Sequence, residues 1–139
     1  MRVRDIMTTH PLVIPEEASV EYAAGMMRDC NIGLIPLGDK DKVVGVITDR
    51  DIATRVSAEC KDPKHTAVRE VMTPHGDYCF EDQDIEDACF MMEAKHVRRL
   101  LVFDRARTLV GILSLDDVAA RSRKDKLAGY ALSKLAKTA

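Results

Sequence analysis

The 139-residue chain has no tryptophan, only 4% aromatic residues and no long uninterrupted hydrophobic run, although its apolar content is 46%. The missing run argues against a membrane-spanning helix, which needs about 20 successive apolar residues. A signal-peptide core is missing too: Met1-Arg2-Val3-Arg4 leads straight into a segment that recurs later, so a cytoplasmic protein is expected. The four cysteines, Cys30, Cys60, Cys79 and Cys89, lack the short paired spacing of metal sites. Two of them occupy positions that are aliphatic in the other copy of the repeat, which reads as core packing. No glycine-rich phosphate loop occurs, no serine has a plausible His and Asp arrangement, and the four histidines are scattered. His10 and His75 are repeat mates but lack a third ligand. Catalytic residues, a catalytic cofactor and a metal are therefore not expected. Net charge is only −2, yet residues 121–139 hold six basic side chains against Asp125 alone.

What is present is a duplication. Val3-Arg4-Asp5-Ile6-Met7-Thr8-Thr9-His10 returns sixty-five residues later as Val68-Arg69-Glu70-Val71-Met72-Thr73-Pro74-His75. Gly45-Val46-Ile47-Thr48-Asp49-Arg50-Asp51 returns as Gly111-Ile112-Leu113-Ser114-Leu115-Asp116-Asp117, with the offset grown by one. The extra residue is placed in Arg105 to Thr108, a polar turn that can lengthen without disturbing strands. The repeats divide the chain into units at 1–60 and 61–122 and a basic tail at 123–139. Each unit is small for independent stability, so the two are expected to fold together.

Val20, Ala23, Ala24 and Met27 fall at i, i+3, i+4 and i+7, and Ile85, Ala88, Cys89 and Met92 repeat the pattern, so each unit carries one amphipathic helix. Ser19 and Asp84 are the expected N-caps. Extended segments at 12–14 and 77–80 precede the helices. Apolar runs at 34–37 and 43–47, and at 100–103 and 109–113, follow as hairpins. Each unit then reads strand, helix, strand, strand, helix, with the second helix starting at Thr48 or Ser114. Ser57 to Thr66 reads as a connecting loop. Beyond Ser122 a tail helix is expected, with Leu127, Ala131 and Leu135 on one stripe and Gly129 against it; packing across a dimer is its expected role.

At the end of the third strand of each unit, a hydroxyl is followed three positions later by an acid: Thr48 with Asp51, Ser114 with Asp117. A capping box accounts for this pattern. The same groups also suit a ribose diol, with nearby amides and the helix dipole attracting phosphate.

Two units that open with Met-Thr and close with Gly-apolar-apolar-Ser/Thr-x-x-Asp resemble a tandem pair of cystathionine β-synthase (CBS) domains over roughly residues 1–122. The first unit contributes Met7-Thr8, Ile32 to Pro36 and Gly45 to Asp51; the second contributes Met72-Thr73, Val97 to Val102 and Gly111 to Asp117. The resemblance implies an α+β fold of two pseudo-symmetric motifs packed through their sheets, usually paired into a homodimer. It also implies adenosine ligands, with AMP, ADP or ATP ranked ahead of S-adenosylmethionine.

In such pairs each cleft draws on both motifs. One cleft here would use Ser114 and Asp117 for ribose with Ile112 beside them, and His10, Leu12, Ile32, Gly33 and Leu34 around the base. The other would use Thr48 and Asp51 with Val46, and Asp77, Val97 and Arg98 around the base. Arg99, then Arg98 and Arg50, are the phosphate candidates, because guanidinium forks suit phosphate oxygens. Gly33-Leu34 stands where the second unit has Arg98-Arg99, and Asp77 stands where an apolar base contact is expected. The Ser114/Asp117 cleft is therefore expected to bind nucleotide better. The function implied is a regulatory, non-catalytic module acting on an unknown partner protein. The competing reading is an interaction module whose basic tail docks a partner, with nucleic acid disfavoured because Tyr130 is the tail's lone aromatic.

Overall fold

The computed structural model describes residues 1–122 and 125–137. It has an α+β fold whose chain divides into two compact units, residues 12–76 and residues 1–11 with 77–139. The spatial units are therefore staggered against the sequence repeats.

In the unit spanning residues 12–76, helix α1 (Val20–Cys30) is followed by strands β2 (Leu34–Asp39) and β3 (Lys42–Thr48) and the short helix α2 (Asp49–Ile52). A wider helical turn, Ala53–Ser57, continues α2 and buries Val56. Strand β4 (Thr73–Pro74) completes the sheet in the order β2-β3-β4, pairing antiparallel with β3. The other unit holds β1 (Thr8–Thr9), β5 (Tyr78–Phe80), helix α3 (Ile85–Lys95), β6 (Arg99–Phe103), β7 (Leu109–Ser114), α4 (Leu115–Arg121) and α5 (Asp125–Ala136). Its sheet runs β1-β7-β6-β5, antiparallel except for the parallel pair β5-β6.

The stagger arises because each repeat lends its opening segment to the sheet of the other. Val3 and Arg4 donate to the carbonyls of Gln83 and Glu81 at 2.9 and 3.0 Å, while Val68 and Arg69 donate to Ala18 and Glu16 at 2.8 and 3.1 Å. Two glycines admit the exchanged strands. A Cβ on Gly45 would lie 2.7 Å from the Thr73 carbonyl oxygen, and one on Gly111 would lie 2.8 Å from that of Thr8. Any larger residue at either place would push the lent strand away.

The expected helices form, with Val20, Ala23 and Met27 buried in one unit and Ile85, Ala88, Cys89 and Met92 in the other. Both end on a residue in the left-handed region, Asn31 at φ 53° and His96 at φ 55°. Ser19 caps α1 by accepting from the Tyr22 amide at 3.0 Å. Asp84 occupies the same position before α3, but its side chain accepts no capping bond. The expected strand at 77–80 forms as β5, whereas 12–14 makes only a single parallel bridge, Ile14 to Leu37. Pro11 and Pro15 flank that segment and Pro36 lies in the partner strand, so amides needed for a ladder are missing. The inserted residue falls in the turn between β6 and β7, where Arg107 takes φ 66° and Asp104 bonds Thr108.

Each unit has its own core. The stripe of α5 joins that of its own unit: Ala128, Ala131 and Leu135 pack with Val118, Met92 and Cys89. One stripe of the tail helix thus packs on its own unit, while Tyr130 and Leu132 of the same helix stay exposed. Lys126, Lys134 and Lys137 remain exposed. Arg123 and Lys124 of the basic tail lie outside the described residues.

Candidate functional site

The hydroxyl and acid pairs are set by the strand-to-helix junction of each unit. Thr48 and Ser114 are the last residues of β3 and β7 and hold extended backbone, so the chain turns into α2 and α4 directly after them. Thr48 Oγ1 accepts from the Asp51 amide at 3.1 Å, and Asp51 Oδ2 accepts from the Thr48 amide at 3.0 Å. Ser114 Oγ and the Asp117 amide bond at 3.0 Å, and Asp117 Oδ2 accepts from the Ser114 amide at 2.9 Å. Both pairs are thus reciprocal capping boxes, which immobilises one carboxylate oxygen in each. The second oxygen decides what else each acid can hold.

Here the units part. In the first, the Thr73 hydroxyl donates to the Asp51 carboxylate at 3.2 Å from both oxygens, and Asp51 is 7% exposed. In the other unit Asp117 Oδ1 meets only the Arg121 guanidinium among the described residues, at 3.9 Å. A carboxylate can accept several hydrogen bonds, so Asp117 keeps more capacity for a ligand hydroxyl.

Two arginines absent from the sequence-based candidates buttress these junctions. Arg55 donates to the carbonyls of Val71 and Met72 at 3.1 and 2.8 Å and lies 3.8 Å from Asp51. Arg121 does the same to Ile6 and Met7 at 3.2 and 3.4 Å and lies 3.9 Å from Asp117. Each ties the acid to the strand lent by the other repeat. The repeated Asp-x-x-x-Arg spacing, Asp51 to Arg55 and Asp117 to Arg121, was the signal that could have found them.

The phosphate candidates lie beside the Ser114 junction. Arg99 stands directly opposite Ser114 in the β6-β7 pairing, and the Arg98 carbonyl accepts from the Leu115 amide at 2.9 Å. Both arginines line a pocket of about 360 Å³ together with Ser114, Leu115 and Asp116 of the junction and Ala128, Gly129 and Leu132 of α5. The corresponding positions in the other unit are Leu34, opposite Thr48, and Gly33, whose carbonyl accepts from the Asp49 amide at 3.1 Å. There a Cβ on Gly33 would lie 2.9 Å from Asp49 Oδ2, so a carboxylate stands where a side chain at this position would begin. Arg50 is exposed and its amide donates to Asp49 Oδ1 at 2.8 Å.

The remaining candidates distribute by unit. Ile112 faces Thr8 across β1-β7, and exposed His10 follows that strand at φ 54°. Asp77 is half-buried and its carbonyl accepts from Leu101 at 2.9 Å; Val97 is half-buried against the core of the same unit. Val46 pairs with Pro36 and Thr73 in the other sheet, where Leu12 and Ile32 pack against that unit's core. The structure therefore gathers Ser114, Asp117, Ile112, His10, Arg98 and Arg99 in one unit, and Thr48, Asp51, Val46, Arg50, Gly33 and Leu34 in the other.

The buried thiols belong to packing. Burial pushes Cys79 up to about 12, and burial with Glu93 and Glu86 nearby pushes Cys89 up to about 11, so both stay neutral and unreactive near pH 7. On the exposed edge, hydrogen bonding from Arg105 holds the Asp82 carboxyl below its ordinary range.

A family model for the CBS domain matches residues 3–58 and again residues 68–124. The chain belongs to the CBS domain family. Its two CBS units are similar in sequence to the CBS domain-containing protein YhcV of Bacillus subtilis (strain 168), at 35% identity over 96% of this chain and 94% of that protein. Hypoxic response protein 1 of Mycobacterium tuberculosis is 34% identical over 84% of this chain and 81% of its own. The crystal structure of Hypoxic Response Protein I holds two coordinated zinc ions and superposes with a TM-score of 0.77 at 32% identity, over 87% of this chain and 98% of that one. Among the described residues of the present chain, no group of three or more His, Cys, Asp or Glu side chains could hold a metal. The CBS domain pair of protein MJ0100, solved with 5′-methylthioadenosine and S-adenosyl-L-methionine, gives a TM-score of 0.76 at 28% identity, over 86% of this chain and 93% of that one. Among the described residues no helix is long and apolar enough to cross a membrane.

Proposed function

We propose that the chain is a regulatory, non-catalytic module that binds an adenosine nucleotide, with the ribose on Ser114 and Asp117 and the phosphates toward Arg98 and Arg99. The observation that supports this reading is the pairing of Arg99 with Ser114 across β6 and β7, beside a pocket whose lining includes Arg98, Arg99 and Ser114. Fork-shaped guanidiniums match phosphate oxygens in pairs. The adenosine compounds bound by the MJ0100 pair support the ligand class. Thr48 and Asp51 form the weaker site in this proposal, because Thr73 already occupies the Asp51 carboxylate and Asp49 brings negative charge to Gly33. Signalling would pass through a homodimer to a partner protein, since a ligand shifts an arrangement only by its differential affinity for the alternatives.

Calorimetry with AMP, ADP, ATP and S-adenosylmethionine tests the proposal. Asp117→Ala is expected to weaken nucleotide binding at least about tenfold, the cost of a lost hydrogen bond to a charged group, while Asp51→Ala leaves the tightest binding step nearly unchanged. Absence of binding at millimolar nucleotide would overturn the reading. Loss through Asp51→Ala but not Asp117→Ala would reverse the ranking of the sites.

A further inference from the structure

Gly129 is an unexplained residue. It sits inside helix α5, where glycine is among the poorest choices, yet a Cβ placed there would meet nothing within 4 Å. Neither packing nor backbone geometry requires glycine at this position. Ala128, Ala131 and Leu135 are buried in the core of the unit, which fixes the rotation of the helix and leaves Gly129 and Leu132 on the wall of the pocket shared with Arg98, Arg99 and Ser114. The missing side chain adds free volume to the pocket that Arg98 and Arg99 also line.

Resting on the nucleotide reading above, we propose that α5 forms the outer wall of the phosphate end of the site, and that Gly129 determines specificity by reserving space for a di- or triphosphate. The charge of the pocket agrees. Arg98 and Arg99 have no acidic partner among the described residues and outnumber the single lining carboxylate, Asp116. Two guanidinium forks can engage more oxygens than one phosphate group presents while its ester oxygen points to ribose. The same net positive charge disfavours a sulfonium ligand. A pocket of about 360 Å³ at the junction is large enough for a phosphate chain without moving the helix.

The test compares ATP and AMP affinities by calorimetry for wild type, Gly129→Ala, Gly129→Leu and Leu132→Phe. Wild type is expected to prefer ATP to AMP. Gly129→Ala should melt at a higher temperature and keep ATP affinity within about threefold, because one methyl does not fill the space. Gly129→Leu should lose ATP affinity about tenfold or more while AMP affinity changes little, as the added volume meets only the terminal phosphates. Leu132→Phe lies one turn further along the same wall and should shift the ratio in the same direction, which keeps the test valid if Gly129→Leu fails to fold. Wild type that binds ATP, with an ATP/AMP ratio unmoved by both wall variants, would overturn the role of α5 and leave the nucleotide reading standing. Binding of neither nucleotide would overturn the nucleotide reading itself.

Discussion

The two CBS units repeat their folding devices almost atom for atom and differ in what they offer to a ligand. Each has a glycine against a lent strand, an arginine on the carbonyls of that strand, and a hydroxyl and acid locked in a capping box. Around those shared parts the side chains diverge. One unit fills the junction with its own groups, Thr73 on Asp51 and Asp49 over Gly33. The other leaves Asp117 without a hydroxyl partner of the Thr73 kind, sets Arg98 and Arg99 beside Ser114, and adds α5 to the wall of the pocket they line. Parts that hold the exchanged strands are constrained in both copies by the same packing. Arg98 and Arg99 are exposed and form no ion pair among the described residues, so these positions can change at little cost to the fold.

The sharpest way to break this comparison is at the glycines. Gly45→Val and Gly111→Val should each destabilise by about 2–4 kcal/mol in urea unfolding, since both force a side chain onto a backbone carbonyl. Tolerance of one substitution would show that only one unit depends on its lent strand. A smaller effect is expected from the buttressing arginines. Arg55→Ala should cost about 1–2 kcal/mol, and Arg121→Ala less, because its bonds of 3.2 and 3.4 Å are longer than the 2.8 and 3.1 Å of Arg55. The reverse order would mean that the strand from the first repeat is the more firmly held. The smallest effect should come from Arg105→Ala, which removes the surface partner of Asp82 in the unit that carries α5. The Asp82 carboxyl is held low in the folded protein, so the interaction stabilises above the ordinary carboxylate range and is lost as pH falls through the folded value. Wild type and variant should therefore differ slightly at neutral pH and converge below about pH 4; a gap that persists in acid would assign the effect to the contact of Arg105 with the Phe80 ring.

Much of the fold was legible because periodicity and repetition reinforce each other. The stripes Val20, Ala23, Met27 and Ile85, Ala88, Met92 were readable as helices, and the extra residue of the second copy was placed correctly in the turn before Leu109. The bridge at Ile14 instead of a strand was less legible, since the prolines act on a partner known only from the pairing. Asp84 shows the opposite failure: the right residue stands at the right cap, and its side chain makes no capping bond. At the candidate site the hydroxyl and acid pairs and the adjacent arginines were readable as motifs. Arg55, Arg121 and Thr73 were not singled out, because their meaning depends on strands brought in from the other repeat.

The sequence by itself determined that there are two repeats, that each ends its third strand in a locked hydroxyl and acid, and that an arginine pair stands only in the second where the first has Gly33-Leu34. Local pattern suffices for these, because capping and helical stripes act within a few residues. Only the tertiary structure decided that each repeat completes the sheet of the other, and that the tail helix packs on its own unit beside Arg98 and Arg99. Those outcomes rest on close backbone approach at Gly45 and Gly111 and on burial of one face of α5. Contacts between residues far apart in the chain set both, and spacing along the chain carries no record of them.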